Sequence, residues 1–305
     1  MKTNKMTKPN PDLAIQAQGL TKSYGKIQAL EGIDLEVKYG EIFGFLGPNG
    51  AGKTTTIRCL LDMIRPDGGI AYLLGINPQE NPVKVQTMTG YLPGEMQFYD
   101  NLTAEGQLRF FSDMRNGRSD WSYVCNLADQ LDLDLKQPIK NLSKGNKQKI
   151  GVIQALMHKP DLLLLDEPTS GLDPLMQQKV LVLLREFNRQ GTTIFFSSHV
   201  MSEVENVAQR VAIIRAGKII EIAETESLTH RTLNRFIVRF KQKIDISQIS
   251  RLEGVSILSQ NGSDQIKFQT TGDIQKVIQT LGTLPVQDLE TEHPSLEEIF
   301  LTYYQ

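Results

Sequence analysis

Gly47-Pro48-Asn49-Gly50-Ala51-Gly52-Lys53-Thr54-Thr55 follows the apolar run Ile42-Phe43-Gly44-Phe45-Leu46, and its reading fixes the fold class. Glycines at the first and sixth positions let backbone N–H groups wrap a phosphate, Lys53 adds positive charge, and Thr54 offers a hydroxyl to Mg²⁺. Such a loop needs a buried strand before it and a helix after it, because a helix N-terminus presents aligned dipoles to an anion. Ile57, Leu60, Leu61 and Ile64 recur at helical spacing and predict that helix over residues 55–64.

The bulk composition agrees with a packed globular chain. Its 305 residues are 40% hydrophobic and 22% charged, enough for roughly two domains of about 150 residues each. A net charge of −2 gives no global field that would draw the chain onto nucleic acid, so no nucleic-acid partner is expected. No stretch reaches the ~18 apolar residues a membrane span needs, and the first nine residues lack the apolar core of a signal peptide; a cytoplasmic location is expected. Cys59 and Cys125 are too few for a disulfide framework and read as core or near-core thiols.

Outward from the loop, residues 13–223 alternate short apolar strands with longer helical stretches, the pattern of an α/β fold around a largely parallel sheet. Residues 162–165, 192–196 and 211–214 are the clearest buried strands, and 175–187 an amphipathic helix between the first two. From about 103 to 158 strand signals vanish and apolar residues recur at helical intervals, predicting a helical subdomain. Residues 224–305 change texture again: strands at 235–240, 255–258 and 265–268, helices at 274–281 and 295–304, together a small C-terminal α+β domain. Residues 1–12 are expected to be a flexible tail.

Leu162-Leu163-Leu164-Leu165-Asp166-Glu167 is a buried strand ending in two carboxylates. Beside a phosphate loop, Asp166 is placed to hold Mg²⁺ and Glu167 to act on a water near the terminal phosphate, which points to hydrolysis rather than binding alone. In Leu142-Ser143-Lys144-Gly145-Asn146-Lys147-Gln148-Lys149, Ser143 is a helix cap whose helix end forms a second anion site.

That last stretch resembles the signature sequence of ABC-type ATPases, and the order of the other motifs is similar too: Ser170-Gly171-Leu172-Asp173 resembles the family's D-loop, His199 its switch histidine, and Tyr24 the aromatic that stacks on adenine. The resemblance spans about residues 13–223. It implies an ATP-binding and ATP-hydrolysing subunit in which Gly47 to Thr55 hold the phosphates of ATP, Thr54 and Asp166 hold Mg²⁺, Glu167 activates water and His199 orients the γ-phosphate. It also implies that Ser143, Gly145 and the Asp173 loop act on nucleotide bound to a second subunit, so that ATP closes a homodimer or a pair of ATPase subunits. Three positions depart from the family pattern. Lys144 and Asn146 replace a glycine and a glutamine of the usual signature, and Gly94 stands where the Q-loop usually carries Gln or Glu, which leaves Glu95 as the substitute metal contact.

Separately encoded membrane-spanning permease subunits are the implied partners, holding the chain at the inner face of the cell membrane. Tyr91-Leu92-Pro93-Gly94-Glu95, the Lys-Gly-Asn signature and the segment 294–300 resemble bacterial exporters of drugs, antibiotics and peptides. A soluble ABC ATPase acting on ribosomes or chromosomes is the rival reading, disfavoured by the single cassette and the lack of heptad coiled coils. A nucleotide kinase is disfavoured by the signature and by a candidate hydrolytic Glu167.

Overall fold

The computed structural model describes residues 8–115, 119–230, 234–262, 264–270 and 274–292. The chain divides into two compact units, one ending at Glu224 and the other beginning at Thr225.

In the first unit the order is β1 (Leu13–Tyr24), β2 (Ile27–Lys38), β3 (Ile42–Leu46), α1 (Lys53–Leu60), β4 (Gly68–Leu73), α2 (Pro82–Met88) and β5 (Thr89–Leu92). There follow α3 (Ala104–Met114), α4 (Trp121–Gln130), α5 (Lys144–Leu156), β6 (Leu162–Asp166), α6 (Pro174–Arg189), β7 (Thr193–Ser198), α7 (Met201–Val207), β8 (Arg210–Arg215) and β9 (Lys218–Glu224). Six strands form one sheet in the order β5-β6-β7-β3-β8-β9, parallel throughout except for the edge strand β9. β3, β6 and β7 are buried along their whole length, as expected of strands covered on both faces.

A second, antiparallel sheet in the order β2-β1-β4 was not anticipated from the sequence. Several bulges interrupt the pairing of β1 with β2, so the alternation of apolar and polar residues along β1 loses its phase. The core fills the space between the two sheets: Ile15, Leu20, Ile33 and Leu35 belong to one buried cluster with Phe43, Phe45, Ile57, Leu164 and Phe195. Phe195 stacks on Phe43 at 5.9 Å between ring centroids and meets Phe45 at 5.3 Å. Truncating such a ring to alanine costs about 3–5 kcal/mol.

The predicted helical stretch forms α3, α4 and α5, each opened by a side-chain cap. Thr103 accepts from Gly106 N–H, Asp120 from Ser122 N–H and Ser143 from Asn146 N–H. The helix after the phosphate loop is shorter than its apolar spacing suggests. It begins at Lys53 and stops at Leu60, because Asp62 turns left-handed (φ 53°) and both Met63 and Ile64 N–H fold back onto Arg58 C=O.

The second unit holds α8 (Thr225–His230), β10 (Asn234–Phe240), α9 (Ser247–Ser250), β11 (Val255–Asn261), β12 (Gln265–Thr270), α10 (Ile274–Gly282) and β13 (Val286–Glu292). Its antiparallel sheet runs β11-β12-β10-β13, and Phe236, Val238, Phe240, Ile266 and Phe268 pack against Ile249 of α9 and Val277 and Leu281 of α10. β13 is an addition to the sequence reading. The helix expected at 295–304 and the exporter-like segment 294–300 lie outside the described residues.

Candidate nucleotide site

Strand register brings the motifs together. In the parallel sheet Asp166 of β6 pairs with Ser197 of β7, and Ser198 of β7 pairs with Leu46 of β3. The loops leaving these three strands therefore emerge side by side at one sheet edge, where ligands sit in open α/β folds.

The loop after β3 is shaped by close backbone approach. A Cβ on Gly47 would lie 2.5 Å from Ile214 C=O, and one on Gly52, at φ 111°, 2.8 Å from Ala29 C=O. Gly52 is the N-cap of α1 and no side chain caps that helix. Its first N–H groups are thus available to an anion, the cradle a phosphate requires. Asn49 and Gly50 are exposed at the loop tip, whereas Ala51 is buried and Pro48, Thr54 and Thr55 are half-buried.

Lys53 is only 5% exposed. Its Nζ donates to Gly47 C=O at 2.7 Å and Pro48 C=O at 3.2 Å, and pairs with Glu167 Oε1 at 3.3 Å. Thr54 Oγ1 donates to Asp166 Oδ2 at 2.6 Å, and Ser197 Oγ donates to Asp166 Oδ1, also at 2.6 Å. Both oxygens of that buried carboxylate are engaged. His199 Nδ1 lies 3.2 Å from the same Glu167 oxygen that meets Lys53.

Glu167 has a left-handed backbone, φ 52°. Its N–H donates toward Ser197 C=O and Oγ at 3.2 and 3.1 Å. Gln148, on α5 and buried, donates from Nε2 to Glu167 C=O and Pro168 C=O, both at 3.1 Å. Gln148 and Ser197 were not singled out from the sequence, although both stand inside stretches that were.

The signature residues sit elsewhere. Ser143 is exposed at the N-terminus of α5, and a Cβ on Gly145 would lie 2.9 Å from Gly171 C=O. The aliphatic stem of Lys144 covers Gly171, where a Cβ would meet Lys144 Cγ and Cδ at 3.2 Å. The signature thus packs on the Ser170–Asp173 loop of its own chain, and Asp173 Oδ1 caps α6 by accepting from Met176 N–H at 3.0 Å. Among the described hydrogen bonds and ion pairs, none links Ser143 or Gly145 to residues 47–55. Tyr24 is half-exposed at the end of β1, with Lys22 Nζ 5.9 Å from its ring centroid.

At the departure in the Q-loop, glycine has a physical reason: a Cβ on Gly94 would lie 2.9 Å from Asp166 Oδ2. Gly94 seats its backbone against that carboxylate, while Glu95 is exposed and makes no hydrogen bond or ion pair among the described residues. Two residues on, Met96 fills the space over Gly151 of α5, where a Cβ would meet its Sδ at 2.0 Å.

A phosphate loop on a buried parallel strand, with an acidic pair closing the next strand but one, defines a P-loop nucleotide-binding ATPase. The family model described as ABC transporter matches residues 30–170. The bacitracin transport ATP-binding protein BcrA of Bacillus licheniformis is 35% identical, over 76% of this chain and 80% of its own length. The linearmycin resistance ATP-binding protein LnrL of Bacillus subtilis is 32% identical over 94% of this chain and 97% of its own length. A solved ATP-binding subunit of an ABC transporter superposes with a TM-score of 0.65, at 27% identity, covering 72% of this chain and 92% of that one. The chain belongs to the ABC transporter ATP-binding family. These relatives carry transport and resistance names, and none supports the ribosomal or chromosomal alternative.

Proposed function

We infer that residues 13–224 form the ATP-hydrolysing motor of an exporter, paired with a second ATPase subunit beneath permease partners. The observation that carries this is the meeting of Lys53 and His199 at one oxygen of Glu167, beside the Thr54–Asp166 pair. Glu167 would orient and deprotonate the attacking water, with His199 holding the charge that develops opposite it. Thr54 and Asp166 form an all-oxygen donor pair of the kind Mg²⁺ takes alongside phosphates and water, and bound Mg²⁺ would neutralise charge on the phosphates. Among the described residues no group of three or more His, Cys, Asp or Glu side chains is placed to hold a metal ion, so phosphate and water would complete the shell. Glu95, exposed and next to Gly94 whose backbone lies against Asp166, is the substitute contact this reading keeps for the Q-loop.

Ser143 presents an exposed, capped helix end that no described hydrogen bond or ion pair links to the phosphate loop of its own chain, which suits closure over nucleotide held by a second chain. Among the described residues no helix is long and apolar enough to cross a membrane, and this reading assigns that task to separate permease subunits. An open groove of 750 Å³ lined by Met63, Val83, Phe111, Met114, Arg115 and His158 offers that partner an apolar seat, with Met63, Val83 and Met114 each more than half exposed. The export direction rests on the resistance name of LnrL, beside the transport name of BcrA.

Steady-state turnover of Glu167→Gln tests the site. Hydrolysis should fall at least ~100-fold while ATP still binds. Unchanged turnover would remove Glu167 from this role.

A further inference from the structure

A buried carboxylate outside the proposed catalytic set joins two of its segments. Glu203, on α7, is 5% exposed. Its Oε1 accepts from Thr169 Oγ1 at 2.5 Å and its Oε2 from Ser198 Oγ at 2.6 Å. The Ser198 hydroxyl has one proton, which it gives to Glu203; its lone pair accepts from Val200 N–H at 2.9 Å. Short O–H···O⁻ bonds of this kind are among the stronger ones proteins make.

The two ends of this bridge matter more than its strength. Thr169 lies two residues past Glu167, in a turn closed by Ser170 N–H onto Glu167 C=O and Leu172 N–H onto Thr169 C=O. Ser198 immediately precedes His199. One carboxylate therefore ties the turn carrying Glu167 to the strand end carrying His199. Ser197 makes a parallel tie between Asp166 and Glu167 N–H.

We propose that Glu203 is a positioning residue for ATP hydrolysis: it sets the spacing of His199 from Glu167 and couples the Ser170–Asp173 loop to the switch histidine. This rests on the roles given above to Glu167 and His199. Loss of the bridge leaves the phosphate loop untouched, so binding should survive while the reacting geometry loosens.

The test is a kinetic comparison of Glu203→Ala, Glu203→Gln, Thr169→Val and His199→Ala in the full chain, with ATP affinity and Tm measured in parallel. Glu203→Ala should lower kcat about tenfold or more, as small misplacements of reacting groups do, with ATP affinity within threefold of wild type. Glu203→Gln should recover most of kcat, since a carboxamide can still span both hydroxyls. Glu203→Ala added to His199→Ala should cost little beyond the single change, because both act through one geometry. Should Glu203→Ala fail to fold, Thr169→Val breaks one arm by an isosteric change and should still lower kcat selectively. Wild-type kcat in Glu203→Ala, or in Thr169→Val, with only Tm reduced would overturn the proposal. Wild-type turnover in His199→Ala and Glu167→Gln would instead overturn the reading of the site on which it stands.

Discussion

Lys53 Nζ lies 3.3 Å from Glu167 Oε1, and the two carbonyls of Gly47 and Pro48 fill its other donor directions. The buried ammonium is thus satisfied by the protein itself, and an arriving phosphate competes with the Glu167 carboxylate for it. Glu167→Gln removes the competing charge and should tighten binding of a non-hydrolysable ATP analogue by roughly threefold to tenfold, the equivalent of about 1 kcal/mol. Lys53→Ala should weaken it by at least about tenfold, since a charge-assisted contact is lost. Isothermal titration of the three proteins reads both shifts; equal affinities would mean the ion pair does not gate the phosphate.

Ser143 bears on assembly. In the Glu167→Gln background, light scattering should show ATP raising the dimer fraction and ADP leaving it unchanged, because only the γ-phosphate reaches a second chain's helix end. Ser143→Arg should abolish that shift while leaving ATP binding by the monomer intact. Mixing Ser143→Arg with Lys53→Ala chains should restore one complete site per heterodimer. Dimerisation of Ser143→Arg at the parental ATP concentration would refute the composite site.

Gly47 admits no side chain. Its Cβ would meet Ile214 C=O at 2.5 Å and Ile214 Cγ2 at 2.8 Å, and a backbone carbonyl in a central strand yields little. Gly47→Ala should cost about 1–3 kcal/mol, a drop in Tm of roughly 2–10 °C, and abolish ATP binding by displacing the loop. Thermal melts with and without ATP separate the two effects.

His158 supplies a pH dependence. Its Nε2 lies 3.3 Å from Thr89 C=O, and burial, followed by the nearby Arg115 charge, pulls its pKa from 6.5 down to about 4. Above pH 6.5 the ring is neutral in both folded and unfolded chains and contributes nothing. Between 6.5 and about 4 the unfolded chain takes up a proton that the folded one refuses, so stability falls as pH falls. His158→Gln, which keeps a donor for Thr89, should flatten that part of the profile. Melting curves from pH 7.5 to 4.5 that run parallel for the two proteins would assign the acid sensitivity elsewhere.

The candidate site was legible because its motifs are local: each of Gly47–Thr55, Asp166–Glu167 and His199, like the separately placed Ser143–Gly145, announces itself within a few residues of a buried strand or a capped helix. What the sequence did not show is what joins them. Gln148 reaches Glu167 C=O across 19 positions, Ser197 reaches Asp166 across 31, and Glu203 reaches Thr169 across 34. A buried Gln, Ser or Glu has no periodic signature, and only strand register brings it to its partner. The same limit applied to the fold: the fully buried runs of β3, β6 and β7 were plain, whereas β13, apart from Val286 and Leu289 a polar edge strand, needed its pairing with β10 to be seen.

The left-handed backbone of Glu167, φ 52°, has a consequence for how this position can change over time. A non-glycine residue held there carries about 1–2 kcal/mol of conformational cost. Glycine would relieve it and delete the carboxylate. That exchange would also take from the buried Lys53 ammonium its ion-pair partner, so the backbone cost at residue 167 is tied to the carboxylate it presents: the strain can be shed only by giving up both the counter-charge of Lys53 and the group proposed to act on water.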